Sequence, residues 1–196
     1  MDERSFFDKL APVWDDNEIR STPRRINKIL DLIGIEKGFR VLDLGTGTGV
    51  LLPYLADRVG EKGKITAVDY SEGMLLRAKE KFSGLYPKPE FLNKDFETEN
   101  LDGEYDRILL YCVYPHLHTP YDTLKWLRSV NLAYGGIIVI AFPNNEEFVN
   151  SIHKERHSES DLLPPAHELA QRLRNEGLNA EVASADEDSY VINISK

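Results

Sequence analysis

Acidic residues and closely spaced glycines carry the first chemical signal in this 196-residue sequence. Gly45, Gly47 and Gly49 follow the apolar run that contains Asp43, and a second acid, Asp69, stands about 20 positions after the last glycine. Alternate glycines let a chain turn sharply after a strand and leave room for a ligand beside the main chain. The next helix offers free N–H groups, and an acid at the end of the next strand can accept both ribose hydroxyls. This spacing predicts a nucleoside-binding crossover.

The charge of the loop indicates which nucleoside fits it. A dinucleotide site needs glycine where this chain has Val50, and Asp43 would repel a pyrophosphate. A carboxylate instead favours the ammonium and sulfonium groups of S-adenosylmethionine (SAM). The run Asp-Leu-Gly-Thr-Gly-Thr-Gly resembles the first motif of the Rossmann-like SAM-dependent methyltransferases, although glycine-rich turns also occur in other α/β proteins. The resemblance implies that SAM, and its product S-adenosylhomocysteine (SAH), contact Asp43, Gly45, Thr46, Gly47 and Gly49.

Two further segments resemble later motifs of that family. Asp69, Tyr70 and Met74 match the second motif, in which the residue after the acid and the later methionine line the adenosine pocket. Asp95 and Phe96 match the place where an acid accepts from the adenine amine and its neighbour donates a backbone N–H to the ring. Structural roles are the alternatives, because methionine often fills a core and aspartate often forms a turn after a strand.

The loop after the fourth predicted strand is expected to face the methyl acceptor. It spans residues 112–120, contains His116 and His118, and follows Tyr111, another expected cofactor contact. The loop lacks the Asp/Asn/Ser-Pro-Pro-Tyr/Phe motif of nucleic-acid amino methyltransferases. Its Tyr-Pro-His-Leu run resembles small-molecule methyltransferases, in which a histidine faces the acceptor.

A catalytic base is needed only if the acceptor is a hydroxyl or a thiol, since alignment and exclusion of water otherwise suffice. His116 is the first candidate and His153 the second, with a surface or hydrogen-bonding role as the alternative for each. His153 and His157 stand four residues apart, as two metal ligands on one helix face would. We interpret this pair as a solvated face and predict no metal site. Cys112 is expected to be buried and inert.

The length of 196 residues favours a single domain over residues 1–196, and apolar periodicity predicts alternating strands and helices within it. The resemblance implies a Rossmann-like, mostly parallel sheet of seven strands in the order 3-2-1-4-5-7-6, with the last strand antiparallel and helices on both faces. Residues 7–15 resemble the opening of ubiquinone/menaquinone-biosynthesis methyltransferases. Residues 1–34 are therefore expected to form a helical lid. The alternative is that this segment forms an amphipathic helix packed on the edge of the sheet. Residues 143–163 are expected to form a cap over the acceptor.

Composition limits the partners. The net charge of -9 and pI near 5.1 oppose binding to nucleic acid and to anionic membranes. No apolar run is long enough to span a membrane, and we expect a cytoplasmic protein. The predicted function is SAM-dependent methylation of a small molecule, with quinone precursors, other phenols, amines and arsenicals all left open, as is the oligomeric state. A non-catalytic SAM- or SAH-binding module and a nicotinamide-dependent oxidoreductase are the alternatives.

Overall fold

A central sheet organises the computed structural model, which describes residues 3–15, 21–155 and 162–196. Its strands are β1 (Arg40–Leu44), β2 (Lys64–Asp69), β3 (Glu90–Asn93), β4 (Tyr105–Tyr111), β5 (Leu132–Phe142), β6 (Asn179–Asp186) and β7 (Ser189–Ser195). They lie in the order β3-β2-β1-β4-β5-β7-β6, and β7 runs antiparallel to both of its neighbours. The predicted strand order and the antiparallel last strand are confirmed.

Helices pack on both faces of this sheet. They are α1 (Glu3–Leu10), α2 (Pro23–Leu32), α3 (Leu52–Val59), α4 (Glu72–Lys81), α5 (Pro120–Trp126), α6 (Glu146–Glu155) and α7 (Ala166–Asn175). Successive side chains of a strand point to opposite faces, so that Leu42 and Val41 of β1 enter different cores. The core with Leu42 also holds Leu169 of α7, and the core with Val41 holds Ile26 of α2. The inner strands are therefore covered on both faces, as their apolar sequences require.

The sequence predicts a helix start at residues 21–23 and a helix cap at Ser71, and side-chain caps start both helices. The Arg25 N–H donates to Thr22 Oγ1 at 3.4 Å before α2, and the Met74 N–H donates to Ser71 Oγ at 3.2 Å before α4. Each cap satisfies a backbone N–H that the first turn of a helix leaves without a partner. The cap at Ser71 fixes the start of α4 directly after the end of β2.

The largest departure from the sequence prediction lies before β5. The sequence predicts a helix over residues 121–132 and a strand from 137, but α5 ends at Trp126 and a π-helical turn spans Leu127–Asn131. Strand β5 already begins at Leu132, which pairs with Tyr105 of β4. Pairing with the neighbouring strand thus overrides the helical periodicity of this segment.

Smaller differences concern element ends and the two predicted covering segments. The sequence predicts helices that begin at residues 50 and 164, whereas α3 and α7 begin two residues later, at Leu52 and Ala166. Such a shift is ordinary for helix ends. Helix α6 lies within the predicted cap, while residues 156–161 of that cap and residues 16–20 of the predicted lid lie outside the described residues. Among the helices of the described ranges, none has the length and apolar character needed to cross a bilayer.

The strand order places a crevice beside β1. Strand β1 pairs with β2 on one side and with β4 on the other, so that the crossovers leaving β1 and β4 diverge. In open α/β sheets, ligands bind outside the carboxyl ends of the strands at such a switch point.

Candidate functional site

A cavity of about 510 Å³ lies at the carboxyl ends of β1, β2 and β4. Its volume is within the range of small-molecule sites in proteins. Residues far apart in the sequence meet there because parallel strands end at the same edge of the sheet. The lining includes most of the predicted site residues, namely Asp43, Gly45, Thr46, Gly47, Asp69, Tyr70, Met74, Asp95, Phe96, Tyr111 and His116.

The three glycines of the loop after β1 have different surroundings. Gly45 has φ +65°, and a Cβ there would lie 2.5 Å from Val113 Cγ2. Gly49 lies outside the cavity lining, and its Cβ would lie 2.9 Å from Phe82 Cε2, so that this glycine permits close packing. Gly47 has φ +56° and lines the cavity, where a Cβ would meet no atom of the described residues within 4 Å. The loop therefore leaves open space for a ligand above Gly47.

Two carboxylates are buried beside this loop. Asp43, 2% exposed, accepts a hydrogen bond from Thr46 Oγ1 at 2.6 Å through Oδ2. Asp69, 5% exposed, accepts from the Ser71 N–H at 2.9 Å through Oδ1 and from the Gly47 N–H at 2.8 Å through Oδ2. The second carboxylate thus holds the glycine loop against the end of β2.

Burial disfavours the ionised form of both carboxylates. Burial raises the pKa of Asp43 to about 7, the negative charge of Asp69 adds to the increase, and the Thr46 hydroxyl opposes it. Burial also raises the pKa of Asp69 to about 6, against the hydrogen bonds from the Ser71 and Gly47 N–H groups. A bound cation would stabilise both ionised forms. The site is therefore electrostatically suited to a positively charged ligand.

Residues of two crossovers form the wall next to Asp69. Tyr70 follows β2 directly, and Met74 lines the cavity from the first turn of α4 although it is only 2% exposed. Asp95 and Phe96 lie in the turn after β3, where Asp95 Oδ1 accepts from the Glu97 N–H at 3.0 Å. This hydrogen bond fixes the side chain of Asp95 within the turn.

His116 also lines the cavity, at the end of a 3₁₀ turn formed by Tyr114–His116. Its ring meets the ring of Phe7 edge to face, with centroids 5.5 Å apart. At the end of β4, the Tyr111 hydroxyl donates to Ser21 Oγ at 2.9 Å. The chain thus brings its first histidine candidate to the cavity with an aromatic neighbour from α1.

Helix α6 contributes Val149 and Ile152 to the lining of the cavity. His153 belongs to α6, but its side chain lies outside the described residues, as does the whole of His157. The structure therefore leaves the second histidine candidate, and the pairing of these histidines, as predictions.

The N-terminal segment contacts the start of α4 and the glycine loop. Asp8 Oδ1 accepts from Ser71 Oγ at 2.6 Å and from the Gly73 N–H at 3.0 Å, at the start of α4. Thr48 Oγ1, in the glycine loop, donates to Asp15 Oδ1 at 2.6 Å. These bonds hold α1 and the following turn against the first two crossovers. The segment contributes Phe6, Phe7 and Trp14 to the lining.

Sequence reasoning missed several residues of the site. Glu97 and Asn144 line the cavity, and each follows a strand closely, which is the signal that could have identified them. Asp8 has no such signal, because its partners lie more than 60 residues away. The expectation that Cys112 is buried is wrong: it is half-buried, lines the cavity and has φ +58°. Within the described ranges, no group of three His, Cys, Asp or Glu side chains is arranged to hold a metal ion.

Sequence comparisons find methyltransferases. A family model described as a methyltransferase domain matches residues 41–133. The chain is 37% identical to a 2-phytyl-1,4-naphtoquinone methyltransferase of Nostoc sp. and 30% identical to the protein of that name from Trichormus variabilis. Each alignment covers 87% of this chain and 76% of the relative.

Solved structures give the same result for the fold. A SAM-dependent methyltransferase from Aquifex aeolicus matches with a TM-score of 0.70 and 27% identity, over 99% of this chain and 98% of the other. The protein in a DhpI-SAM-HEP complex matches with a TM-score of 0.73 over 98% of this chain and 95% of the other, and its 20% identity shows a likeness of fold alone.

Proposed function

This chain belongs to the class I SAM-dependent methyltransferases, and we propose that it methylates a small, mainly apolar and aromatic molecule in the cavity beside β1 and β4. The observation that carries the proposal is the mixed lining of this cavity. Buried carboxylates and the open space at Gly47 share the cavity with the rings of Phe7, Trp14 and His116. The quinone-methylating relatives support an acceptor with a ring.

The residues present fit SAM, which supplies an electrophilic methyl group on a sulfonium when it is bound. The open space at Gly47 admits a ligand against the main chain, and the buried carboxylates suit a cation. We assign Asp69 to the ribose hydroxyls and Asp43 to the cationic end of the molecule. Asp95 and the backbone of Phe96 are assigned to the adenine.

The chain's own residues then align the acceptor and exclude water. The rings of Phe7 and Trp14, from the N-terminal segment, and Val149 and Ile152, from α6, all line the cavity, and we assign to them the exclusion of water. His116 would accept the proton that a hydroxyl or thiol acceptor loses, because a neutral imidazole is a suitable base near pH 7. His153 remains the second candidate for this role.

The covering segments complete the proposal. Residues 1–34 act as a lid on a single domain of residues 1–196, and residues 143–163 act as the cap over the acceptor. The contacts of Asp8 and Asp15 with the crossovers support the lid. We further propose a cytoplasmic location and no nucleic-acid partner, supported by the net charge of -9.

Turnover with a panel of acceptors tests this function. The purified chain is incubated with SAM and with phenols, hydroquinones, amines or thiols, and SAH is quantified by mass spectrometry. We expect SAH formation with a ring hydroxyl acceptor and none with the acceptor omitted. Binding of SAH without turnover of any acceptor class would favour the non-catalytic module. Binding of NADH in place of SAH would favour the oxidoreductase. The comparisons with known proteins favour neither alternative.

A matched pair of histidine variants tests the base. His116→Gln should lower kcat for a hydroxyl acceptor by about 10²–10⁴-fold while the affinity for SAH stays unchanged. His167→Gln, on the exposed side of α7, is the control and should leave kcat unchanged. An equal kcat for the two variants would remove His116 from the mechanism.

A further inference from the structure

Glu97 lines the cavity, and both of its carboxylate oxygens contact polar groups of the chain that follows β4. Its Oε2 accepts from the His118 N–H at 3.0 Å and lies 3.1 Å from His118 Nδ1. Its Oε1 accepts from the Thr119 N–H at 2.8 Å, from the Thr119 hydroxyl at 3.2 Å and from the Thr123 hydroxyl at 3.3 Å. The side chain is only 10% exposed. One carboxylate thus gathers five polar contacts from the chain that follows β4.

These contacts leave Glu97 no capacity for chemistry of its own. A carboxylate offers about four lone-pair sites, and the five contacts already occupy them. Burial alone would raise the pKa of Glu97, but the hydrogen bonds from His118 and Thr119 outweigh burial and hold that pKa below its usual value. The group therefore stays ionised near neutral pH and is a weak proton acceptor. Its role must lie in what it holds in place.

The carboxylate joins two segments that the sheet keeps apart. Glu97 belongs to the turn after β3 that carries Asp95 and Phe96, whereas its donors follow β4, and β2 and β1 lie between these two strands. The turn is itself braced, because Lys94 Nζ donates to the Asn100 carbonyl at 2.7 Å and the Asp95 N–H donates to Glu99 Oε1 at 2.9 Å. A fixed point therefore exists on the β3 side of the cavity.

His116 lies between two attachment points of the loop after β4, residues 112–119, which we call the exit loop. At its start, Val113 packs against the glycine loop, where its Cγ2 occupies the space of a Cβ at Gly45. At its end, the N–H groups of His118 and Thr119 are bound to Glu97. The first attachment is to the loop of β1, and the second is to the turn of β3.

We propose that Glu97 is a positioning residue that couples the adenine side of the cavity to the exit loop, so that a bound SAM or SAH fixes the position of His116. The proposal rests on the proposed function, because it needs an adenosine at Asp95 and Phe96. An adenosine ordered against that turn restrains Glu97, and Glu97 in turn restrains the end of the exit loop. A bound cofactor thereby adds to the restraint that Glu97 already places on the exit loop.

Hydrogen–deuterium exchange of the full chain with and without SAH tests this coupling. In the wild type, SAH should slow exchange both in the glycine loop, residues 45–49, and in the exit loop. Glu97→Gln keeps the size of the side chain but has one acceptor oxygen, so that one of the two backbone N–H groups faces an amide NH₂. We expect the variant to keep the SAH-induced slowing of exchange in the glycine loop. In the exit loop, we expect this slowing to be about tenfold smaller than in the wild type.

Two further variants separate positioning from general stability. Glu99→Gln alters the same turn, but the Glu99 carboxylate contacts Asp95 and not the exit loop among the described residues, so that slowing in the exit loop should persist. Thr123→Val removes one hydroxyl donor and keeps both backbone donors, and should give a smaller loss than Glu97→Gln. Exit-loop slowing in Glu97→Gln equal to the wild type overturns the proposal, as does an equal loss in both loops. A wild-type chain that does not bind SAH refutes the proposed function first, and this inference falls with it.

Discussion

Replacing Asp69 with asparagine removes one charge from the proposed ribose site and keeps the volume of the side chain. In the structure, Oδ1 and Oδ2 each accept one backbone N–H, from Ser71 and Gly47. With about four lone-pair sites on a carboxylate, two remain for the two ribose hydroxyls. Asparagine has one acceptor oxygen, so that a backbone N–H and a ribose hydroxyl both lose an acceptor.

The size of the effect follows from the lost hydrogen bond. A hydrogen bond to a charged group contributes about 1.5–3 kcal/mol, and each 1.36 kcal/mol changes an equilibrium constant tenfold. Asp69→Asn should therefore bind SAH about 10- to 150-fold more weakly at pH 8 in isothermal titration calorimetry. The backbone N–H left without an acceptor should also lower the free energy of unfolding by about 1–3 kcal/mol, which denaturant titration measures.

The pH dependence and a surface control make this measurement specific. Because the pKa of Asp69 is about 6, the wild-type carboxylate is ionised at pH 8 and mostly protonated at pH 5. The SAH dissociation constant of Asp69→Asn, divided by that of the wild type, should therefore fall towards one as the pH falls over that range. Glu72→Gln removes an exposed carboxylate nearby and should change neither quantity. A folded Asp69→Asn variant that binds SAH within twofold of the wild type at pH 8 would refute the ribose assignment.

Three other outcomes are expected. Gly47→Ala and Gly38→Ala both place a Cβ at positive φ with no described atom within 4 Å, so that each should lower the free energy of unfolding by about 1–2 kcal/mol. Only Gly47→Ala should weaken SAH binding in calorimetry, by at least about tenfold. Equal SAH affinities of the two variants would contradict the placement of the ligand above Gly47. The pKa of Asp43 is about 7 in the fold, above its ordinary value of 3.8, so that the folded state binds more protons between these values. The melting temperature of the ligand-free protein should therefore fall as the pH rises from 5 to 7, with a flatter profile in Asp43→Asn; parallel profiles would count against this. Asp8→Ala removes the acceptor that holds α1 at α4, and SAH dissociation in stopped-flow measurements should become several-fold faster, whereas an unchanged rate would argue against a lid.

Much of the cofactor half of the site could be predicted because its signals are local. The alternation of Gly45 and Gly47 after an apolar strand, and an acid at the end of the next strand, are consequences of backbone geometry over a few residues. The caps at Thr22 and Ser71 are local in the same sense, and the structure has both. The strand order, by contrast, came from resemblance to a known sheet, which the observed topology confirms.

Tertiary structure alone decided the contacts that join distant segments. Nothing in the neighbourhood of Glu97 indicates that its carboxylate would meet Thr119, and nothing near Asp8 indicates the N–H of Gly73. The early start of β5 at Leu132 likewise depends on pairing with β4. Spacing along the chain can specify a turn, a cap or a strand, because these form among neighbours. Which carboxylate meets which backbone N–H across a cavity depends on how the sheet orders its strands, and that order exists only once the chain has folded.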